Sequence, residues 1–378
     1  MVALDLDEMQ QMLQELAHQF ALDEIRPNAE YWDKESEYPL QAIKAADELG
    51  LLNLHIPEEY GGAGLGSMEE VVVTEELAWG DPGFATAAYA TSLAIAPIIT
   101  GGTEEQKQKW LRKVAEEGAL ASYCVTEPQA GSDVASIATT ATKDGVDYII
   151  NGEKMFITGA GYADFFFVLT KTDSAAGYKG MSGFVVESNA EGVSLGKKES
   201  NMGQRCSDTR SVIFNNVRVP ASQLIGGSES GGWMNAMNAF DMSRPNIAAQ
   251  ATGLARAAFE HALQYSDERE TFGQKLHQHQ AIQFMLADMK TKVEASRLLT
   301  WKSAALADAG QKNTEAAAHA KRFAADAAME VSTDAVQVFG GYGYSEEYPV
   351  ARLMRGAKVL QIYEGSSQVQ RMIIGREM

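Results

Sequence analysis

One carboxylate in the chain sits where proton transfer is plausible chemistry. Glu364 lies within Leu360-Gln361-Ile362-Tyr363-Glu364-Gly365-Ser366-Ser367-Gln368, between an apolar run and a polar turn. Gly365 permits a tight bend or the close approach of a ligand. Ser366 or Ser367 can cap a helix that the spacing of Val369, Met372 and Ile373 predicts. Apolar neighbours raise a carboxyl pKa and a helix N-terminus lowers it, a combination that tunes a general base. The same glutamate could equally be a simple partner of the helix dipole.

Three further segments mix Gly, Ser, Thr, Arg and Gln in apolar surroundings. They are Tyr123-Cys124-Val125-Thr126-Glu127-Pro128-Gln129-Ala130-Gly131-Ser132-Asp133, then Arg269-Glu270-Thr271-Phe272-Gly273 with His279-Gln280, then Gln337-Val338-Phe339-Gly340-Gly341. Small residues allow close backbone approach, and hydroxyls, amides and guanidinium groups donate to polar ligands. Each alone reads as a loop or a cap. Together they suit a large planar cofactor with a diphosphate.

The elements that must position these residues follow from periodicity. Residues 1 to about 118 read as helical, with Leu6, Met9, Leu13, Leu16 and Phe20 at helical spacing. Ser67 with Glu70, and Thr103 with Gln106, match the capping-box pattern. From about 119 to 230 the chain turns to short β-branched and aromatic runs. Asn151-Gly152 between Tyr148-Ile149-Ile150 and Met155-Phe156-Ile157-Thr158 predicts a hairpin turn. Runs at 165–169, 183–186 and 211–214, with no helices between, predict an antiparallel barrel or sandwich. No G-x-G-x-x-G opens a βαβ unit, which argues against a Rossmann domain. From about 231 the helical period returns and predicts a bundle. The expected domains are 1–118, 119–230 and 231–378.

Composition narrows the function classes. The 378 residues are 45% apolar and 22% charged, a globular profile, with net charge −19 and no basic block. Nucleic-acid binding, which needs clustered Lys and Arg, is excluded on that ground. Cys124 and Cys206 are too few and too far apart for a disulfide framework or a zinc site, so no metal is expected. The stretch Met1–Glu8 lacks the pattern of a secretory leader, and no run looks long and apolar enough to span a bilayer. The cytoplasm is the expected compartment.

In chain order, Tyr123 to Asp133, Asn201 to Arg210, Arg269 to Gly273, Phe339-Gly340-Gly341 and Gln361 to Gln368 resemble the acyl-CoA dehydrogenase family, in its short- and medium-chain branch. The resemblance covers nearly the whole chain. It implies an N-terminal helical domain, a central antiparallel β-barrel and a C-terminal four-helix bundle. It also implies FAD, an acyl-CoA thioester substrate, an electron-transfer flavoprotein as partner, and a homotetramer whose subunits complete each other's sites. Carried over residue by residue, Glu364 matches the catalytic base. Tyr123, Val125, Thr126, Gly131, Ser132, Phe156 and Thr158 match contacts around the flavin ring. Arg269, Thr271, Phe272, His279, Gln280, Gln337, Gly340 and Gly341 match diphosphate and adenosine contacts, and Ser366 and Gln368 match further cofactor contacts. Ser132 again, with Phe240, Asp241, Ser243, Arg244, Tyr363 and Gly365, matches the thioester path.

Three positions depart from the family pattern. Gln129 replaces a common Gly, Phe156 replaces a common Trp, and Tyr89 falls near the deep end of the acyl pocket, where its bulk would shorten or polarise the space. Two rival readings stay open. One is a relative on the same fold that passes electrons to oxygen or acts as a lyase, the lyase being disfavoured by the presence of Glu364. The other is a non-catalytic helical interaction protein, against which the cofactor loops and the base both stand.

Overall fold

The structure, a computed structural model, describes residues 5–378, so the leader-free reading of Met1–Leu4 lies outside it. Six helices come first: α1 (Glu8–Phe20), α2 (Ala29–Glu35), α3 (Leu40–Glu48), α4 (Ser67–Gly80), α5 (Pro82–Gly101) and α6 (Glu104–Glu117). Asp7 and Gln10 form a capping box that starts α1, and Leu13, Ala17 and Phe20 bury its inner face. Thr103 and Gln106 cap α6 as their spacing predicts.

Ser67 and Glu70 do not form the expected cap. The N-cap of α4 is Gly66, whose N–H donates to Glu69 Oε2 at 3.0 Å. Asp308, distant in sequence, accepts from the N–H groups of Ser67 (2.6 Å) and Met68 (2.9 Å). A carboxylate supplied by tertiary contact thus displaces the local hydroxyl, and Glu70 turns inward.

The expectation that no run is long and apolar enough for a bilayer is also corrected. Helix α5 is 20 residues long, and its best window has a mean hydropathy of 1.4. Within the fold 78% of that window is buried, which accounts for its composition as that of a core helix.

Seven strands follow: β1 (Ala121–Cys124), β2 (Thr140–Asp144), β3 (Asp147–Thr158), β4 (Phe165–Lys171), β5 (Met181–Glu187), β6 (Val193–Leu195) and β7 (Thr209–Pro220). They pair in the order β1-β4-β2-β3-β7-β6, with β5 on β4. Most pairings are antiparallel, but β1 runs parallel to β4, and β2 meets β4 in parallel at Thr140 and Lys171. The Asn151-Gly152 turn is not there. β3 passes straight through that dipeptide, and the hairpin turns instead at Gly145-Val146, where Asp144 faces Asp147. Gly152 sits at a register shift against β7, and a Cβ on it would lie 2.3 Å from Thr139 Oγ1. The glycine serves a bulge and a close backbone approach rather than a turn.

The chain then returns to helices: α7 (Gly232–Glu268), a two-residue pair β8 (Glu270–Thr271) and β9 (Gln274–Lys275), α8 (Gln280–Asp308), α9 (Thr314–Phe339), α10 (Pro349–Leu360) and α11 (Ser367–Glu377). α7 packs on α8, α9 and α10, and α9 also packs on α11, giving the C-terminal helical bundle. α4 lies along α7, tied by buried ion pairs. Glu75 meets Arg256 of α7 at 3.0 Å and also Arg297 of α8 at 2.7 Å.

At that contact Gly253 of α7 lets two backbones touch. A Cβ there would lie 2.2 Å from Glu75 O and 2.9 Å from Trp79 N. Gly253→Ala should therefore force α4 and α7 apart and cost about 2 kcal/mol. Thermal unfolding checks this, and an unchanged midpoint would show that the helices separate freely.

Candidate active site

Glu364 lies in the short link between α10 and α11. Its φ is +53° and that of Gly365 is +86°, so two successive residues are left-handed. For glutamate that conformation is strained, at about 1–2 kcal/mol. Surrounding groups hold it. Gln370 Nε2 donates to Glu364 O (3.1 Å) and Gly365 O (3.0 Å), and Lys321 Nζ donates to Gly365 O at 2.6 Å. Ser366 caps α11 by accepting from Val369 N at 3.3 Å, whereas Ser367 Oγ donates to Asp326 at 2.8 Å. Of the two serines the sequence offered, the first is the cap. The backbone N–H of Glu364 donates to no protein acceptor among the described residues.

The carboxylate points into the junction of α5, α7, α9 and β1. Ser243 Oγ donates to Glu364 Oε2 at 2.7 Å. Burial raises the Glu364 pKa, while Ser243 and the nearby charges of Arg244 and Lys321 oppose the rise. Arg244 is paired with Asp241, which also accepts from Thr314 at 2.9 Å. Lys321 is fully buried on α9, and desolvation pulls its ammonium down to about 7 against the pull of Glu364. Tyr123 on β1 stacks on Phe167 (centroids 4.9 Å apart) and meets the edge of Phe240 (5.7 Å). The Tyr363 hydroxyl donates to Gln250 Oε1 at 3.1 Å and lies 3.3 Å from that of Thr86, which donates to Gln204 at 2.7 Å. Glu364, Tyr363, Gly365, Phe240, Asp241, Ser243, Arg244 and Tyr123 are thus brought together. Tyr89 lies close enough for the Glu364 charge to act on it.

A second cluster follows β1. Glu127 is clamped by Lys154 Nζ (2.8 Å) and by the N–H groups of Ala138 (2.5 Å) and Thr139 (3.0 Å). Lys154 also donates to Val125 O at 3.1 Å, and Met155 N to Thr126 O at 2.8 Å. This buried pair organises the loop carrying Thr126, Gly131 and Ser132. Nearby on β3, Phe156 takes φ +58° at a register shift and is 59% exposed, while Thr158 O accepts from Ser122 Oγ at 2.7 Å. An open groove of about 390 Å³, whose lining does not include Glu364, is bounded by Ile362, Ser366, Gln368, Lys358, Asp326 and Arg371.

The third group sits apart. Phe272, at φ +51°, is 97% exposed at the tip of the β8–β9 pair. His279 bonds within this group, its Nε2 3.3 Å from Thr271 Oγ1. Arg269, Gln280, Gln337, Gly340 and Gly341 are exposed, and among the described residues no hydrogen bond joins them to the surroundings of Glu364.

Lys321, Gln370, Thr86 and Gln250 were not singled out by the sequence, and Gln204 entered only as a member of the Asn201–Arg210 motif, without a role of its own. Lys321 left one signal, a lysine on the buried alanine stripe Ala317, Ala320, Ala324 of α9. Gln250 and Gln370 left none.

Three family descriptions match the chain in succession: acyl-CoA dehydrogenase N-terminal domain over residues 7–118, middle domain over 122–217 and C-terminal domain over 230–378. The chain belongs to the acyl-CoA dehydrogenase family. It is 43% identical to a probable medium-chain specific acyl-CoA dehydrogenase of Caenorhabditis briggsae, across 99% of this chain and 91% of that one. Butyryl-CoA dehydrogenase from Megasphaera elsdenii superposes with a TM-score of 0.97 at 42% identity, covering 99% of both chains. A chain from a structure described as the electron-transferring flavoprotein of Acidaminococcus fermentans also gives 0.97, at 43% identity and 99% coverage of both.

The buried Lys154–Glu127 pair makes a direct test of loop anchoring. Lys154→Met should leave an uncompensated carboxylate and cost about 3 kcal/mol. The double change with Glu127→Gln should recover part of that loss. Denaturant midpoints of the two variants measure both effects.

Proposed function

We propose that this chain is an FAD-dependent acyl-CoA dehydrogenase in which Glu364 removes the α proton of the thioester. The observation that carries this reading is the Glu364 turn. It offers an inward carboxylate and, from the same residue, a backbone N–H without a protein partner. The proton α to a thioester carbonyl is a very weak acid, so a carboxylate removes it only where the forming enolate oxygen is stabilised. A fixed N–H beside the base supplies that. Burial raises the basicity of Glu364, and an acyl chain that expels water raises it further. Ser243, Arg244 and Lys321 oppose that rise by favouring the ionised form.

The residues present fit a flavin dinucleotide. A Cβ built at Gly131, Gly340 or Gly341 meets no atom within 4 Å, so these glycines face open space rather than packed protein. The Glu127–Lys154 clamp presents Thr126 and Ser132, and the open groove along the start of α11 presents Ser366 and Gln368. When bound there, FAD supplies the acceptor for the β hydrogen, which leaves as hydride. Tyr123, Val125, Phe156 and Thr158 would hold the ring end of the cofactor. Arg269, Thr271, Phe272, His279, Gln280 and Gln337 would hold its diphosphate and adenosine end. Phe240, Asp241 and Tyr363 line the thioester path with Ser132.

The near-complete exposure of Phe272 supports a homotetramer in which a neighbouring copy covers it. The exposed Phe156 face supports docking of an electron-transfer flavoprotein, and the net charge of −19 would steer a basic patch on that partner.

Glu364→Gln should retain the yellow flavin yet lose reductive half-reaction rate by about 10³-fold or more, followed as anaerobic bleaching by an acyl-CoA. Bleaching at near-normal rate would remove Glu364 from the role. Ser243→Ala gives a signed test. Ser243 favours the carboxylate, so its loss raises the Glu364 pKa further. The acidic limb of the kcat/KM profile should then move to higher pH, and movement to lower pH would contradict the assignment.

A further inference from the structure

Tyr89 stands on α5 one turn beyond Thr86, whose hydroxyl lies 3.3 Å from that of Tyr363. Both side chains keep partial exposure in a helix that is otherwise largely buried, and the Glu364 charge reaches Tyr89. This face of α5 therefore borders the segment that carries the base. Beyond it lies a small cavity of about 20 Å³, where Asn53, Glu70, Thr74, Tyr89 and Ser92 appear among leucines and alanines. It has room for roughly one water-sized group.

The polar residues there fix one another's hydrogens. His55 Nδ1 lies 3.1 Å from Glu70 Oε1. Burial opposes the Glu70 charge, yet His55 and Asn246 outweigh it and hold the carboxyl below its ordinary range. An ionised carboxylate only accepts. Asn246 must therefore turn its NH₂ toward Glu70 Oε2, at 2.9 Å, and its oxygen toward the Thr74 hydroxyl, at 3.3 Å. The second amide hydrogen then points at the Tyr89 oxygen, also at 2.9 Å. Tyr89 accepts, so its own proton must go elsewhere. Among the described residues no protein acceptor receives it, which leaves the hydroxyl free to donate into the space that Tyr89 borders.

We infer that Tyr89 donates to an acceptor atom on the bound acyl chain, so that the site selects acyl groups carrying an oxygen beyond the β carbon. An ether, carbonyl or hydroxyl oxygen meets the requirement, while a terminal carboxylate is disfavoured by the ionised Glu70 nearby. The inference rests on the dehydrogenase reading and names its substrate class.

The test compares hexanoyl-CoA with its ether analogue, in which oxygen replaces one methylene beyond the β carbon. The wild-type enzyme should favour the ether by about tenfold or more in kcat/KM. Tyr89→Phe should abolish that preference, lowering kcat/KM for the ether about tenfold more than for hexanoyl-CoA. Glu70→Gln, which frees the Asn246 amide to turn, should shrink the preference several-fold while hexanoyl-CoA is still turned over. No wild-type preference would overturn the inference, as would equal losses on both thioesters in Tyr89→Phe. A water bound to the Tyr89 proton predicts the first of these. If neither thioester bleaches the flavin, the dehydrogenase reading falls and this inference with it. Bleaching by both alike removes the inference only.

Discussion

The Gly365 carbonyl is the atom on which the site depends. It receives a buried ammonium from α9 and an amide from α11, and so ties two helices to one peptide of the link between α10 and α11. Without those donors the left-handed pair Glu364–Gly365 would relax toward common backbone geometry, since nothing in glutamate favours φ near +53°. The strain is local, and the bundle that over-determines it is large. A base carried on a link is thereby held as firmly as one on a helix.

The electrostatics around that turn are a compromise between opposed effects. Burial works against every charge in the junction: it raises the carboxyl of Glu364 and lowers Lys321 and Arg244. Each charge then supports its opposite. The result is a carboxylate that stays ionisable yet is more basic than one in water, beside a lysine whose proton is loosely held. Neither property belongs to a residue alone, because both come from how α7, α9 and the α10–α11 link converge.

Much of this was legible in the chain. The helical, β and helical regions, the Thr103 cap, and the Ser366–Glu364 joint all follow from local spacing, which is where sequence is most informative. Asn151-Gly152 misled because the same dipeptide serves a turn and a bulge, and only the opposing strand and Thr139 decide between them. Ser67 misled because Asp308, hundreds of residues away, took the cap. The glutamine network around Tyr363 and the Glu70–Asn246–Tyr89 relay were invisible for the same reason. Their members come from separate helices, and no periodicity marks a residue that meets its partner only after the fold has closed.

Helix α5 carries a consequence for biosynthesis. Its apolar surface packs partly against α7, whose first residue is Gly232, so about 130 residues must be made between one and the other. At roughly 10 residues per second that interval lasts on the order of 10 s. During it a segment apolar enough for a bilayer lacks one of its permanent neighbours on the ribosome-bound chain. The length of that exposure is set by where the core helix and its partner fall along the message rather than by the stability of the finished protein.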